Sequence, residues 1–201
     1  MTGDELAGGQ TWTDELPAQT AALMRGFASP WFIAGGWAVD LFLGEVTRPH
    51  DDIEIAILRR DQSALHAHLR GWRWEKVLDD ERSPWRRDEW LELPVFELYA
   101  ANERAEPPQL EVLLNEARGR VWVFRRNAHV TRPLAACYLT TPAGIPFLGP
   151  EIVLLYKSKQ PRAKDEQDFG AVVARLEAER RAWLRSALLL CDAGHHWLNR
   201  L

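Results

Sequence analysis

The sequence predicts an α+β protein, with strands and helices mixed over residues 1–148 and a helical subdomain over 149–201. Three observations predict it. Short apolar runs such as Trp31-Phe32-Ile33 and Ile53–Leu58 are bounded by glycine, proline and polar residues, as strands are. Stretches with helical spacing, such as 14–27 and 61–69, are interleaved with them. Beyond residue 148 only helical spacing remains.

The elements follow in order. Leu16, Thr20, Leu23 and Phe27 fall on one face of a helix over 14–27, with Pro17 in the opening turn, where proline is tolerated. Ser29-Pro30 ends it. Trp31–Ile33 reads as a strand, Gly35-Gly36 follows it and opens a helix, and Trp37–Leu43 reads as that helix, capped by Gly44. Asp52–Leu58 reads as a strand, with Asp52, Glu54 and Ala56 on one face and the isoleucines on the other. Asp61 is expected to cap a helix running to Leu69, and Gly71 to close it. Trp72–Leu78 and Leu93–Tyr99 read as strands, with a charged loop over Asp79–Trp90 between them. Leu110–Leu114 and Arg120–Arg126 read as a strand pair joined at Ala117-Arg118-Gly119. Pro150 opens a helix through Lys159, Pro161 breaks it, and two more helices cover 165–175 and 178–191.

Composition excludes several classes. The 201 residues are 46% hydrophobic, enough to bury a core and too apolar for a disordered chain. Net charge is −4, which argues against non-specific nucleic-acid binding. A local patch of Arg118, Arg120, Arg125 and Arg126 is the exception to test. Cys137 and Cys191 form no metal or redox spacing and fit a reducing compartment. The segment MTGDELAGGQ is acidic and lacks the apolar run of a signal peptide, and no run is long enough to span a bilayer, so a soluble cytoplasmic protein is expected.

Chemistry concentrates in two places. His50-Asp51-Asp52-Ile53-Glu54-Ile55 puts two carboxylates at i and i+2 on one side of a strand, where they can share a divalent cation. Gly35-Gly36 lies between a strand and a helix, where a phosphate can approach the backbone and the helix N-terminus favours the anion. Dinucleotide-binding and P-loop glycine patterns are absent. Arg48 and His50 flank the acids. His195-His196 has no further ligand at metal spacing, and the Trp-rich segment 72–90 reads as core before stacking surface.

Taken together, Gly-Gly-Trp-Ala-Val-Asp-Leu-Phe-Leu-Gly and Thr-Arg-Pro-His-Asp-Asp-Ile-Glu-Ile resemble the nucleotidyltransferase superfamily, especially its aminoglycoside 2''-adenylyltransferase and lincosamide nucleotidyltransferase branch. The resemblance is close over 31–58 and looser over 110–116 and 149–169. It implies a mixed β-sheet flanked by helices with a C-terminal helical subdomain. It implies phosphate-loop roles for Gly35 and Gly36, and Mg²⁺ held by Asp52, Glu54 and a third carboxylate from a later strand. Glu111, an acid inside the apolar strand Leu110–Leu114, is the choice for the third, with Glu97 as runner-up. The same carboxylate would accept the hydroxyl proton. Many relatives carry Asp where this chain has Glu54, which points to altered tuning of the metal pair. Lys164 matches a segment where a lysine reaches toward the triphosphate, and Arg48 is placed with it on the nucleotide. Asp165 and Asp168 would cap its helix or restrain that lysine. The expected reaction moves a nucleoside monophosphate from a nucleoside triphosphate, ATP in the first place, to a hydroxyl of a small molecule, antibiotics among the candidates. The alternatives are a toxin-like enzyme acting on RNA or protein and a catalytically silent relative.

Overall fold

The computed structural model describes residues 15–201. The expected first residue of the opening helix, Asp14, and the segment MTGDELAGGQ lie outside the described residues. Strands β1 (Trp31–Ile33), β2 (Glu54–Leu58), β3 (Arg73–Leu78), β4 (Glu81–Pro84), β5 (Glu97–Ala101), β6 (Gln109–Arg118), β7 (Val121–Val123), β8 (Thr131–Pro133), β9 (Tyr138–Thr140) and β10 (Pro146–Leu148) form one mixed sheet. Its main path runs β4-β3-β5-β6-β2-β1-β10-β9, and β7 and β8 branch from β6. Two pairs, β2 with β6 and β1 with β10, are parallel. Helices α1 (Glu15–Leu23), α2 (Gly35–Leu43), α3 (Gln62–His68), α4 (Pro150–Lys157), α5 (Ala163–Val173) and α6 (Ala178–Cys191) complete the α+β fold.

β2 lies at the centre of the sheet, and its run Ile55-Ala56-Ile57-Leu58 is buried on both faces. A strand covered on both sides needs a continuous apolar run and not simple alternation. The same core takes in Trp37, Val39 and Leu43 of α2, Ile152 and Leu155 of α4, Phe169 of α5 and Leu184 of α6. α4 and α5 pack onto α2 and α6 packs onto α4, while Glu151 of α4 is buried against Arg132 of β8 and Arg180 of α6.

Several elements differ from expectation. α1 ends at Leu23, short of Phe27, which follows in a turn and still packs on the core. α2 begins at Gly35, two residues before the expected Trp37, so the two glycines open it as read. Asp52 and Ile53 precede the ladder, which starts at Glu54. Asp61 does not cap α3 with its side chain; it accepts from Ser29 Oγ at 3.0 Å, and a 3₁₀ turn over Arg59–Asp61 leads into the helix. The charged segment 79–90 contains β4, whose edge position leaves it exposed and so allows its polar sequence. β5 starts at Glu97, because the preceding stretch is held instead by buried Arg59, which donates to the carbonyls of Leu91 and Val95. β6 extends through Arg118, and β7 stops at Val123. The short strands β8, β9 and β10 had no sequence signal strong enough to read. α4 stops at Lys157, and α5 covers 163–173.

Candidate active site

β1 and β2 are antiparallel, which sets Ile33 opposite Ile55 and brings the start of α2 beside Glu54. The Ala34 amide donates to the Glu54 carbonyl at 2.8 Å, fixing that junction. β2 and β6 are parallel with Glu54 opposite Glu111, and Glu111 in turn faces Tyr99 across β5. Opposed residues share a face, so Glu54, Glu111 and Tyr99 stand in a row. Two residues along the sheet the next row contains Leu113 and Glu97.

This floor belongs to a cleft of about 610 Å³. Gly35, Gly36, Arg48 and Asp52 line it, as do Lys157, Arg162, Lys164 and Asp165 from α4, α5 and the loop between them. Phe96, Glu97, Asn115, Arg125 and Tyr156 also line it. Asp52, Glu54, Glu111, Gly35, Gly36, Arg48 and Lys164 are thus brought to one cleft, and the runner-up Glu97 lies there too.

The acids repel one another. Burial, then the charges of Glu54, Glu97 and Asp52, push the Glu111 carboxyl up to about 8. Burial, then Asp52, raises Glu54, while Lys157 and Lys164 oppose the rise. Among the described residues no three His, Cys, Asp or Glu side chains stand as a ready-made metal cage. The donor chemistry nevertheless fits Mg²⁺: the acids offer only hard carboxylate oxygens, and their mutual repulsion is what a divalent cation relieves.

Gly35 has φ +59°, and a Cβ there would fall on the Glu54 carboxylate. A Cβ on Gly36 would meet Arg48 and His50. The loop carrying these two side chains is tied to α2 through Asp40, fully buried in an otherwise apolar helix. Thr47 Oγ1 donates to Asp40 at 2.7 Å, and His50 Nε2 lies 2.5 Å from its other oxygen. Trp37 Nε1 donates to the Asp52 carbonyl at 3.1 Å. Neither Asp40 nor Trp37 was read as part of the site; the available signal was an acid inside the apolar run Trp37–Leu43.

The cations are arranged differently from expectation. Asp168 accepts from both Nε and Nη2 of Arg48, at 3.1 and 3.3 Å, and pairs with Lys157 Nζ at 3.0 Å. Lys157 also reaches Asp165 at 2.8 Å, and Arg162 Nε reaches the same carboxyl at 3.0 Å. Burial alone would raise Asp165, but the hydrogen bonds from Arg162 and Lys157 prevail and hold it at about 2. Asp165 caps α5 as expected, accepting from the Arg162 amide at 2.9 Å, while the lysine that Asp165 and Asp168 restrain, along with Arg48 and Arg162, is Lys157 and not Lys164. Lys164 is exposed in the first turn of α5 and makes no ion pair among the described residues. Lys157 was missed because it lies on a different helix from the acids that hold it.

Other candidates resolve simply. Trp72, Trp74 and Trp85 are buried away from the cleft, as core, whereas Trp90 is exposed. His195 contacts the Ser158 carbonyl and His196 pairs with Glu166. Of the basic patch, Arg125 and Arg126 line the cleft while Arg118 and Arg120 do not.

The comparisons with known proteins agree with the resemblance read from the sequence. A family model described as aminoglycoside-2''-adenylyltransferase matches residues 18–90. A 2''-aminoglycoside nucleotidyltransferase of Klebsiella pneumoniae is 39% identical over 83 residues, 40% of this chain and 47% of that protein. An Escherichia coli protein of the same name matches equally. The chain thus spans about half the length of the curated relatives it matches. The crystal structure of ANT(2'')-Ia in complex with adenylyl-2''-tobramycin superposes with a TM-score of 0.56 at 19% identity, over 85% of this chain and 92% of that one. That of the lincosamide antibiotic adenylyltransferase LnuA, lincomycin-bound, gives 0.55 at 16% identity, over 80% and 96%. The resemblance read from residues 31–58 therefore holds in sequence and in fold.

Proposed function

We propose that this protein is a Mg²⁺-dependent nucleotidyltransferase that moves a nucleoside monophosphate from a nucleoside triphosphate, ATP in the first place, to a hydroxyl of a small molecule. The observation that carries the reading is the row of Glu54 and Glu111 on paired strands, with Asp52 beside it, facing the same cleft as Gly35, Gly36 and the cations of α4 and α5. Asp52, Glu54 and Glu111 would hold the metal. Bound Mg²⁺ neutralises charge that develops on the phosphates during transfer. Arg48, Lys157 and Lys164, which line the same cleft, bind the triphosphate. The acceptor oxygen attacks the α-phosphorus, the bond to pyrophosphate breaks, and Glu111 accepts the hydroxyl proton. Relatives named for antibiotic nucleotidyl transfer support a small-molecule acceptor over RNA or protein.

Incubation with α-labelled ATP, Mg²⁺ and a panel of hydroxyl compounds tests the reading. Label transfer with pyrophosphate release, lost in Asp52→Asn, is the expected result. No binding of any nucleoside triphosphate with Mg²⁺ would overturn it.

A further inference from the structure

Asp40 is fully buried in α2, and every other residue of the run Trp37–Leu43 is apolar. An acid is costly in such surroundings unless its oxygens are taken up. Both are taken up by the loop ahead of β2. One accepts from the Thr47 hydroxyl at 2.7 Å and from the Thr47 amide at 3.2 Å. The other accepts from His50 Nε2. Gly36, Trp37 and Asp40 share the helix face that meets this loop, since residues three and four apart are neighbours on a helix. Gly36 leaves the space that Arg48 and His50 fill. The Trp37 ring lies 4.7 Å from the His50 ring, and its Nε1 donates to the Asp52 carbonyl.

The loop carries two groups of the cleft, and they have different anchors. Arg48 is gripped from α5 by Asp168. Asp52 is exposed and precedes the ladder of β2, which begins at Glu54. On its C-terminal side the chain is fixed by β6, because the Ile53 carbonyl accepts from the Glu111 amide at 3.1 Å. On its N-terminal side the chain is fixed by α2, through His50 and through the Asp52 carbonyl. Asp40 and Thr47 are not among the residues that line the cleft. Asp40 thus acts on the site through the loop and not by touching a ligand.

We propose that Asp40 is a positioning residue for the metal end of the site. By seating Thr47 and His50 it sets Asp52 beside Glu54 and Glu111, while Asp168 serves Arg48. This rests on the reading above, in which Asp52 holds a divalent cation.

Two variants of Asp40 test it. Asp40→Leu suits the apolar run and leaves Thr47 and His50 without an acceptor on α2. Asp40→Asn keeps an oxygen for Thr47 and offers an N–H to His50 Nε2, which a neutral imidazole can accept. Mn²⁺ binding is read by electron paramagnetic resonance, with and without a non-hydrolysable ATP analogue. Analogue affinity is read by calorimetry at saturating Mn²⁺. Asp40→Leu should bind Mn²⁺ at least about tenfold more weakly than wild type, as loss of a residue that orients a metal ligand does. Its melting temperature and its analogue affinity should stay close to those of wild type. Asp40→Asn should keep most of the Mn²⁺ affinity. Wild-type Mn²⁺ affinity in Asp40→Leu overturns the proposal. Equal losses in the Leu and Asn variants overturn it too, since the charge and not the seating of the loop would then matter. So does a tenfold loss of analogue affinity in Asp40→Leu, which would assign Asp40 to Arg48. If Asp40→Leu does not fold, Thr47→Val, outside the cleft, carries the test: Mn²⁺ binding should weaken, and unchanged binding overturns the proposal. If wild type binds no Mn²⁺ in either condition, the metal-dependent reading falls and the proposal with it. Mn²⁺ bound alike by wild type and Asp40→Leu sinks the proposal alone.

Discussion

The Glu54 carboxylate occupies the space that any side chain on Gly35 would need. Gly35 also has φ +59°, a conformation that costs a residue with a Cβ about 1–2 kcal/mol. Sequence alone suggests that the glycines leave room for phosphate. Here Gly35 first leaves room for an acid of the cleft, and Gly36 for Arg48 and His50. Gly35→Ala should therefore lower thermal stability by a few degrees and abolish Mg²⁺-dependent transfer by displacing Glu54. Thermal melts and turnover of the same sample check both. Full turnover in a folded Gly35→Ala protein would show that Glu54 can leave its place at no cost.

Asp52→Asn keeps shape and removes charge. Because Asp52 raises both Glu54 and Glu111, its loss should lower both carboxyls while ending Mg²⁺-dependent turnover. NMR titration of the glutamate carboxyls reads the first effect, and pyrophosphate release the second. Glu54→Asp, the commoner pairing among relatives, should retain activity.

Much of this cleft was legible because its chemistry is local in sequence. Gly35-Gly36 and Asp52–Glu54 lie within 20 residues of each other, on elements whose apolar runs are unambiguous. Glu111 was readable because an acid inside Leu110–Leu114 has no packing reason to be there. What was not legible depends on distant partners. Asp40 reads as a polar interruption until Thr47 and His50 fold onto it. The clamp of Asp168 on Arg48 spans 120 residues. The short strands β8 to β10 take their pairing from neighbours, and three residues are too few to show a period.

The pH dependence of stability has a defined sign. Glu111 is raised from its ordinary value of 4.5 to about 8, so the folded state holds its proton where the unfolded state has lost it. Its contribution to stability is full below about pH 4.5 and is lost as pH rises to about 8. In metal-free buffer, the urea midpoint of wild type relative to Glu111→Gln should fall between pH 5 and 8.5 and then level off. A difference that grows with pH would contradict the burial and repulsion assigned to Glu111.

Asp168 is 1% exposed and carries two cations. Removing one partner of such a buried pair costs about 3–5 kcal/mol, because the others lose their compensation. Asp168→Asn should be destabilised on that scale in urea unfolding. In folded protein it should raise the KM for ATP more than it lowers kcat, since Arg48 and Lys157 lose their aim without leaving the cleft. An unchanged KM would make the clamp purely architectural.

Two of the three cleft lysines separate by their partners. Lys157 is fixed by Asp165 and Asp168, at 2.8 and 3.0 Å, and its removal leaves two buried acids short of a counter-ion. Lys164 lines the same cleft from the first turn of α5, is exposed, and has no ion pair among the described residues. Lys157→Ala should therefore lower both stability and ATP affinity. Lys164→Ala should weaken ATP binding about tenfold with the melting temperature unchanged, because an exposed, unpaired ammonium adds little to folding and is free to meet a phosphate. Lys159, exposed in the turn after α4 and lining the same cleft, should be nearly silent in both measurements. Calorimetry with a non-hydrolysable ATP analogue and thermal melts on the three variants give the comparison. Equal analogue affinity for wild type and Lys164→Ala would remove Lys164 from the triphosphate site and leave Lys157 as its lysine.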